Sequence, residues 1–175
     1  MRTTESSSGS VSLRPAVLTD FDDTAAEQNV AELLLLEFGD QPNWQDARSR
    51  FRTGELTLKD YQEIAFQHIQ ADRNTMQSFV KKQANLRPHF GEMVSYCQDR
   101  DIPVAVVSAG LDFYIEALLE KEGFPDLPVY AVNTTFSETG ISYHYHHTNP
   151  GKEHLGNSKG LIVERYQSQG HHVFY

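Results

Sequence analysis

An acidic pentapeptide, Asp20-Phe21-Asp22-Asp23-Thr24, directly follows a short apolar run in this 175-residue chain. The run, residues 15–19, predicts a buried β-strand. Side chains two apart on a strand share one face about 7 Å apart, so we expect Asp20 and Asp22 to project together from its carboxyl end. Ligands of open α/β sheets bind at that end. Because neighbouring carboxylates repel unless a cation or a proton is shared, the motif predicts a charged site at a sheet edge.

The pentapeptide is compatible with more than one role. One carboxylate can serve as nucleophile and the other as acid and base, with a divalent metal absorbing charge. A calcium loop is excluded, because Thr24, Ala25 and Ala31 stand where it requires an acid or Asn, a Gly and a Glu. A solvated turn remains open, with Asp23 or Thr24 as the N-cap of a helix beginning near Ala25.

Two further motifs follow downstream in a suggestive order. A second apolar run, residues 102–107, ends in Ser108-Ala109-Gly110, and Lys159 heads a predicted helix over 158–168. Taken alone, Ser108 is more often a helix cap and Lys159 a surface lysine. Their order after the acidic motif favours one shared site.

This order of motifs resembles the haloacid dehalogenase superfamily of phosphatases, over about residues 16–175. The chain looks closest to the phosphoserine-phosphatase-like branch, subfamily IB. Within that branch it is most similar to the methylthiopentenyl-phosphate phosphatases of methionine salvage, through segments 54–57, 102–108 and 110–116.

The resemblance implies a Mg²⁺-dependent phosphatase that hydrolyses a small phosphate monoester through an aspartyl-phosphate. Asp20 would be the nucleophile and Asp22 the general acid and base. The metal would be held by the Asp20 carboxylate and the Asp22 backbone carbonyl. The phosphate would be bound by Ser108, Ala109, Gly110 and Lys159.

Alternating strand and helix patterns predict an α/β fold with a parallel sheet. The resemblance makes it a Rossmannoid sheet of order 3-2-1-4, truncated, with a helical C1-type cap inserted. The predicted strands are 16–21, 102–107, 128–132 and 172–175, with an edge hairpin over 136–147. The predicted domains are a flexible tail (1–12), a core (13–24 plus 85–175) and a helical cap (25–84).

Bulk properties narrow the partners. The net charge of −9, with no basic stripe, argues against nucleic acid. No apolar run reaches 18 residues and the first dozen residues lack an apolar segment, so neither a membrane span nor a secretory signal is expected. The single cysteine, Cys97, is predicted to be a buried hydrophobe and suits a reducing, cytoplasmic setting. A small phosphorylated metabolite is the expected partner, and the oligomeric state is left open.

One departure from the family pattern shapes the expected activity. The family's fourth, acidic motif would begin just beyond Tyr175 and normally supplies another metal-binding carboxylate. We therefore expect a fragment or a pseudoenzyme with low turnover. The alternatives are a non-catalytic, partner-binding remnant and a phospho-accepting receiver; the long helical insertion argues against the receiver.

The resemblance also bears on the substrate. Asn29 stands where phosphoserine phosphatases carry a Glu that meets the substrate amine, and Glu63 stands where they look to carry an Arg. Phosphoserine is therefore disfavoured as a substrate, and a neutral, hydroxylated or keto phosphate fits better.

Weaker patterns favour structural roles over functional ones. The arginines of the predicted cap are expected to form a solvated face more often than an anion site, and its Trp44 and Phe51 to be cap core. Histidines near the predicted hairpin and the chain end favour exposed side chains over a zinc site. The arginines are Arg48, Arg50 and Arg52; the histidines are His144, His146, His147, His154, His171 and His172.

Overall fold

The computed structural model describes residues 13–175, so the predicted flexible tail over 1–12 lies outside the described residues. Strands and helices alternate as expected for an α/β fold. The strands are β1 (Arg14–Thr19), β2 (Val104–Leu111), β3 (Val129–Ser137), β4 (Gly140–His144) and β5 (His171–Phe174). The helices are α1 (Val30–Phe38), α2 (Gln41–Arg52), α3 (Leu58–Phe66), α4 (Arg73–Gln83), α5 (Phe90–Gln98), α6 (Asp112–Lys121) and α7 (Lys159–Ser168).

The five strands form one sheet of order β4-β3-β2-β1-β5. β1 lies between β2 and β5, with Val17 paired to Val104 on one side and Phe174 on the other, both parallel. β2 also pairs in parallel with β3. The predicted order 3-2-1-4 is confirmed, with β5 as the fourth predicted strand. The predicted hairpin is present as well, because β3 continues past its expected end and turns at 138–139 into antiparallel β4.

The central strand β2 explains why a continuous apolar run marks the middle of the sheet. Val104 and Val106 pack into the larger hydrophobic cluster, whereas Ala105 and Val107 pack on the opposite face with Ile162 of α7. Strands of a parallel sheet are covered on both faces and therefore need apolar side chains at successive positions.

The chain makes a tight turn after β1 where the sequence predicted a helix. Asp23 has a φ of 58°, in the left-handed region, and α1 begins only at Val30. The predicted N-cap at Asp23 or Thr24 is therefore wrong: Asn29 caps α1 and accepts a hydrogen bond from the backbone of Glu32.

Five α-helices, α1 to α5, lie between β1 and β2, and the first four, α1 to α4, fall within residues 25–84, where an insertion was predicted. Thr57 is the N-cap of α3, in a capping box with Asp60. Buried residues of these helices, such as Leu34 and Met76, share one hydrophobic cluster with Leu118 of α6. The assignment of 25–84 as a separate cap domain stays a prediction.

Two further predictions concern the chain's surroundings. Cys97 is buried in α5, and this burial raises the pKa of its thiol. Within residues 13–175, no helix combines the length and apolar character that a membrane crossing requires.

Candidate active site

Asp20 stands at the point where β1 ends and the chain begins to turn. Its Oδ1 accepts a hydrogen bond of 2.8 Å from the backbone N–H of Phe21. Its Oδ2 lies 2.6 Å from Nζ of Lys159, the first residue of α7. Burial by itself would lower the pKa of the Lys159 ammonium. Contacts that include the adjacent Asp20 carboxylate act in the opposite direction and outweigh burial, so the net pKa is raised. Lys159 is therefore a permanent positive charge beside Asp20.

Asp22 accepts three hydrogen bonds, two from the start of α1 and one from α6. Its Oδ1 accepts from the backbone N–H groups of Val30 (2.7 Å) and Ala31 (3.3 Å), at the start of α1. Its Oδ2 accepts from the hydroxyl of Tyr114 at 2.8 Å. Burial raises the pKa of Asp22 more than these hydrogen bonds lower it, so its carboxyl gains a proton more readily than an exposed one.

The expected arrangement of the two acids on one strand face is wrong in detail. β1 ends at Thr19, and Asp22 lies in the turn that follows rather than on the strand. The turn nevertheless brings both carboxylates to the same cavity. The sheet edge was therefore predicted correctly, and the strand geometry was not.

The Ser108-Ala109-Gly110 segment lies within β2 rather than at the start of a helix, since α6 begins only at Asp112. Ser108 is buried, and its Oγ accepts a hydrogen bond of 3.0 Å from the backbone N–H of Gly110. In this structure that N–H is bonded to Ser108, and the phosphate contact of Gly110 stays a prediction. The Ser108 hydroxyl proton is left to donate.

A cavity of about 420 Å³ brings the predicted site residues together. All six line it: Asp20, Asp22, Ser108, Ala109, Gly110 and Lys159. Residues of helices α1, α2 and α3 line it as well. The site thus lies between the carboxyl ends of the strands and the inserted helices.

Two of the three predicted arginines line the cavity. Arg48 is paired with Glu32 at 2.9 Å, and Arg52 is exposed at the rim. Arg50 instead pairs with Asp46 and Glu55 on the outer surface. Asn29 also lines the cavity, as expected for a position that meets substrate.

The aromatic residues of α2 differ from expectation. Trp44 is 1% exposed and belongs to the core, as predicted. Phe51 is 36% exposed, stacks on Tyr61 with ring centroids 5.0 Å apart, and lines the cavity, so its prediction as core was wrong. A helix periodicity does not show which of its aromatic residues borders an open cavity.

Glu63 does not face the site. Its Oε1 accepts a hydrogen bond of 3.0 Å from the hydroxyl of Tyr145, next to the β4 strand. Glu63 lines a different surface pocket, with Tyr143. The prediction that Glu63 repels a substrate carboxylate is therefore wrong, because that side of α3 turns toward the hairpin.

Two functional candidates were missed from the sequence. No local signal in the sequence marks the contact of Tyr114 with Asp22. Gln62 carried a detectable signal: it lies between Leu58 and Phe66 at helical spacing, so a polar residue interrupts an otherwise apolar stripe. Both line the cavity.

The histidines and acids of the described chain do not assemble a ready metal cluster. Between residues 13 and 175, no group of three or more His, Cys, Asp or Glu side chains is placed to hold a metal ion. His144 and His146 stack with ring centroids 6.4 Å apart, and His144 contacts Thr135 at 3.2 Å.

For magnesium, the donor set fits in one respect. Both oxygens of each aspartate have a partner within the protein, and the Asp20 side chain is 32% exposed beside the cavity. Mg²⁺ commonly binds through one or two carboxylates, several waters and the substrate's phosphate oxygens. Asp20 therefore supplies the carboxylate that such a site requires.

The fold and the site together define a hydrolase built on a parallel α/β sheet, with paired aspartates and a lysine at the edge of that sheet. The family model of the haloacid dehalogenase-like hydrolases matches residues 17–148. The chain belongs to this family.

Named relatives agree with the predicted resemblance. The chain is 26% identical over 166 residues to the 2-hydroxy-3-keto-5-methylthiopentenyl-1-phosphate phosphatase of Brevibacillus brevis, covering 92% of this chain and 73% of that protein. It is 30% identical over 134 residues to the phosphatase of the same name from Lysinibacillus sphaericus, covering 76% of this chain and 58% of that protein.

Among solved structures, a phospho-aspartyl intermediate analogue of phosphoserine phosphatase matches with a TM-score of 0.64 and 18% identity. The match covers 92% of this chain and 75% of that one, and it shows the shared fold. The predicted membership of the family and its likeness to methylthiopentenyl-phosphate phosphatases are confirmed. The relatives support a phosphoric monoester hydrolase.

Proposed function

We propose that this protein is a Mg²⁺-dependent phosphatase that hydrolyses a small phosphate monoester through an aspartyl-phosphate. The observation that carries the proposal is the 2.6 Å pair of Asp20 and Lys159 in a cavity that also holds Asp22 and Ser108. The chain spans 58% of the length of one phosphatase it matches and 73% of another, so the activity of the whole protein is part of the proposal.

Asp20 is the nucleophile in this reaction. Its contacts with Lys159 and with the N–H of Phe21 hold both carboxylate oxygens in place beside the cavity. One of its oxygens attacks phosphorus, and the bond from phosphorus to the ester oxygen breaks. The phosphoryl group is then carried on Asp20.

Asp22 transfers the protons. Its raised pKa means that it takes up a proton more readily than an exposed carboxyl, and in its protonated form it gives that proton to the departing ester oxygen. The resulting carboxylate then takes a proton from the water that attacks the aspartyl-phosphate. That step releases inorganic phosphate and restores Asp20.

Lys159 and Ser108 hold the phosphoryl group during both steps. The Lys159 ammonium offsets negative charge on the phosphoryl oxygens and on Asp20, and the Ser108 hydroxyl donates a hydrogen bond. Lys159 lies on α7 and Ser108 on β2, so regular secondary structure holds both groups in position before the phosphoryl group binds.

Mg²⁺ would be held by the Asp20 carboxylate and the Asp22 backbone carbonyl, and when bound it supplies further neutralisation of phosphoryl charge. In the part of the chain that the structure describes, the Asp20 carboxylate is 32% exposed and lines the cavity, so it is open to such a metal.

The substrate we propose is a small keto or hydroxylated phosphate related to 2-hydroxy-3-keto-5-methylthiopentenyl-1-phosphate, on which the relatives act by name. The cavity of about 420 Å³ is near the lower end of the usual range for ligand sites. Its helical wall carries Leu35, Phe51 and Leu58, which suit an apolar end of such a molecule. We also propose a cytoplasmic setting, since the single cysteine is a free thiol.

The test is the variant Asp20→Asn, assayed for Mg²⁺-dependent phosphate release from an aryl phosphate and from the methylthiopentenyl phosphate. We expect at least about a hundredfold loss of kcat. Beryllofluoride should raise the Tm of the wild-type protein and leave that of the variant unchanged.

The matched control is Asp23→Asn, in the same turn. Asn tolerates the left-handed φ of 58° at this position, so the turn should persist. Equal turnover by the wild type and Asp20→Asn would contradict the proposed function.

A further inference from the structure

Gln62 carries a largely buried amide that faces the cavity. Its residue is 7% exposed, on the apolar side of α3, and it lines the cavity. Among residues 13–175 its side chain makes no hydrogen bond to another side chain or to the backbone, and its amide atoms do not belong to the fully buried groups without a partner. The amide is therefore open to the cavity, where water or a ligand can bind it.

The surroundings of Gln62 explain why a ligand is the expected partner. Leu58 and Phe66, one turn before and one turn after it on α3, line the same cavity. The amide of Gln62 lies between these apolar side chains, so it is placed to exchange hydrogen bonds with a ligand that enters the cavity. A ligand oxygen at this point would replace cavity water on the amide.

The charged side chains near Gln62 indicate that this part of the cavity wall does not bind an anion. Arg48 is neutralised by Glu32 at 2.9 Å. Arg52 is exposed at the rim, where water and salt screen its charge. The group recognised deep in the wall is thus an uncharged oxygen.

We propose that Gln62 determines substrate specificity by binding a carbonyl or hydroxyl oxygen on the uncharged organic part of the phosphate ester. This inference rests on the proposed function and adds the chemical class of the substrate. The amide both donates and accepts, so it matches adjacent keto and hydroxyl groups. The neighbouring apolar side chains contact the hydrocarbon beyond them.

The test measures binding, so that it does not depend on turnover. In an Asp20→Asn background, calorimetry gives the Kd of two esters of equal length, 2-hydroxy-3-oxohexyl phosphate and hexyl phosphate. We expect Gln62→Met to raise the Kd of the oxygenated ester by about tenfold, the worth of a neutral hydrogen bond. The Kd of hexyl phosphate should stay within about twofold.

Two controls accompany this variant. Gln67→Met makes the same change at an exposed position near the end of α3 and should alter neither Kd. Gln62→Met itself should fold with a similar Tm, because the two side chains are similar in size and the amide makes no hydrogen bond within residues 13–175.

The outcomes distinguish this inference from the proposed reaction. An equal change in both Kd values, no change in either, or no binding of either ester would overturn the role of Gln62. A second outcome combines two measurements. If Gln62→Met abolishes selective binding but the wild-type protein hydrolyses neither ester, the proposed reaction is overturned and the role of Gln62 is upheld.

Discussion

The hydroxyl of Tyr114 donates a 2.8 Å hydrogen bond to Asp22, 92 positions earlier in the chain. Tyr114 is fully buried on α6, and burial raises the pKa of its hydroxyl well above the ordinary value, so it remains a donor at neutral pH. The bond joins the first turn of α6 to the turn after β1. It fixes the carboxyl that we assign to proton transfer.

Removing this hydroxyl should slow the reaction without unfolding the protein. We expect Tyr114→Phe to lower kcat by about tenfold or more, since a hydrogen bond to a charged group is worth about 1.5–3 kcal/mol. Steady-state assay of an aryl phosphate measures the effect. Tyr96→Phe, at an exposed tyrosine of α5, is the matched control and should leave kcat unchanged. An unchanged kcat in Tyr114→Phe would show that Asp22 does not depend on this contact.

Gly110 permits the close approach of β2 to this pair. A Cβ at Gly110 would lie well inside contact distance of the Tyr114 hydroxyl and 3.0 Å from Oδ2 of Asp22. We expect Gly110→Ala to destabilise the protein by about 1–3 kcal/mol and to abolish most activity, measured by denaturant unfolding and by assay.

The double variant Gly110→Ala, Tyr114→Phe provides the check. It should recover part of the lost stability, because the clashing hydroxyl is gone. Gly160→Ala is the control, since its nearest neighbour would be Ser158 Oγ at 3.5 Å, an ordinary contact. No recovery in the double variant would assign the damage to β2 itself.

Lys159 should be essential to the chemistry through its charge. Lys159→Met keeps much of the side-chain length and removes the ammonium next to Asp20. We expect a loss of kcat of about a hundredfold or more. Lys152→Met, at an exposed lysine ahead of α7, is the control. A loss confined to KM would mean that Lys159 binds the substrate and does not stabilise the transition state.

The capping box of α3 should contribute to stability in a pH-dependent way. Hydrogen bonds from Thr57 lower the pKa of Asp60 below its ordinary 3.8. A lowered carboxyl pKa stabilises the fold above the unfolded pKa, and this contribution disappears as the pH falls through the folded pKa. The stability difference between wild type and Asp60→Asn should therefore be constant above about pH 5 and shrink as the pH falls through and below the ordinary pKa of 3.8.

Denaturant unfolding of the two proteins at several pH values measures this difference. Thr57→Ala should lower the free energy of unfolding by about 1 kcal/mol at neutral pH, as for other N-caps. The control Asp126→Asn changes an exposed acid in a loop and should show no such dependence. A stability difference for Asp60→Asn that grows toward acid pH would contradict the assignment.

The sequence alone predicted the sheet and the grouping of the site. Apolar runs marked β1 and β2 because a parallel strand must be apolar on both faces. The carboxyl ends of parallel strands meet at one edge, so the order of motifs along the chain was enough to assign Asp20, Ser108 and Lys159 to one place. Thr57 can be assigned as an N-cap from sequence, because helix starts favour side chains with a hydroxyl or carboxylate oxygen.

The tertiary structure decided what depends on contacts between distant segments. β1 ends at Thr19, and the chain turns at Asp23, whose φ is left-handed, so Asp22 does not lie on the strand. The sequence around Asp23 did not predict this turn. The rotation of α3 decides that Gln62 faces the cavity while Glu63 faces Tyr145. Helical periodicity gives the relative directions of side chains, but the direction of the cavity is set by packing across the whole fold.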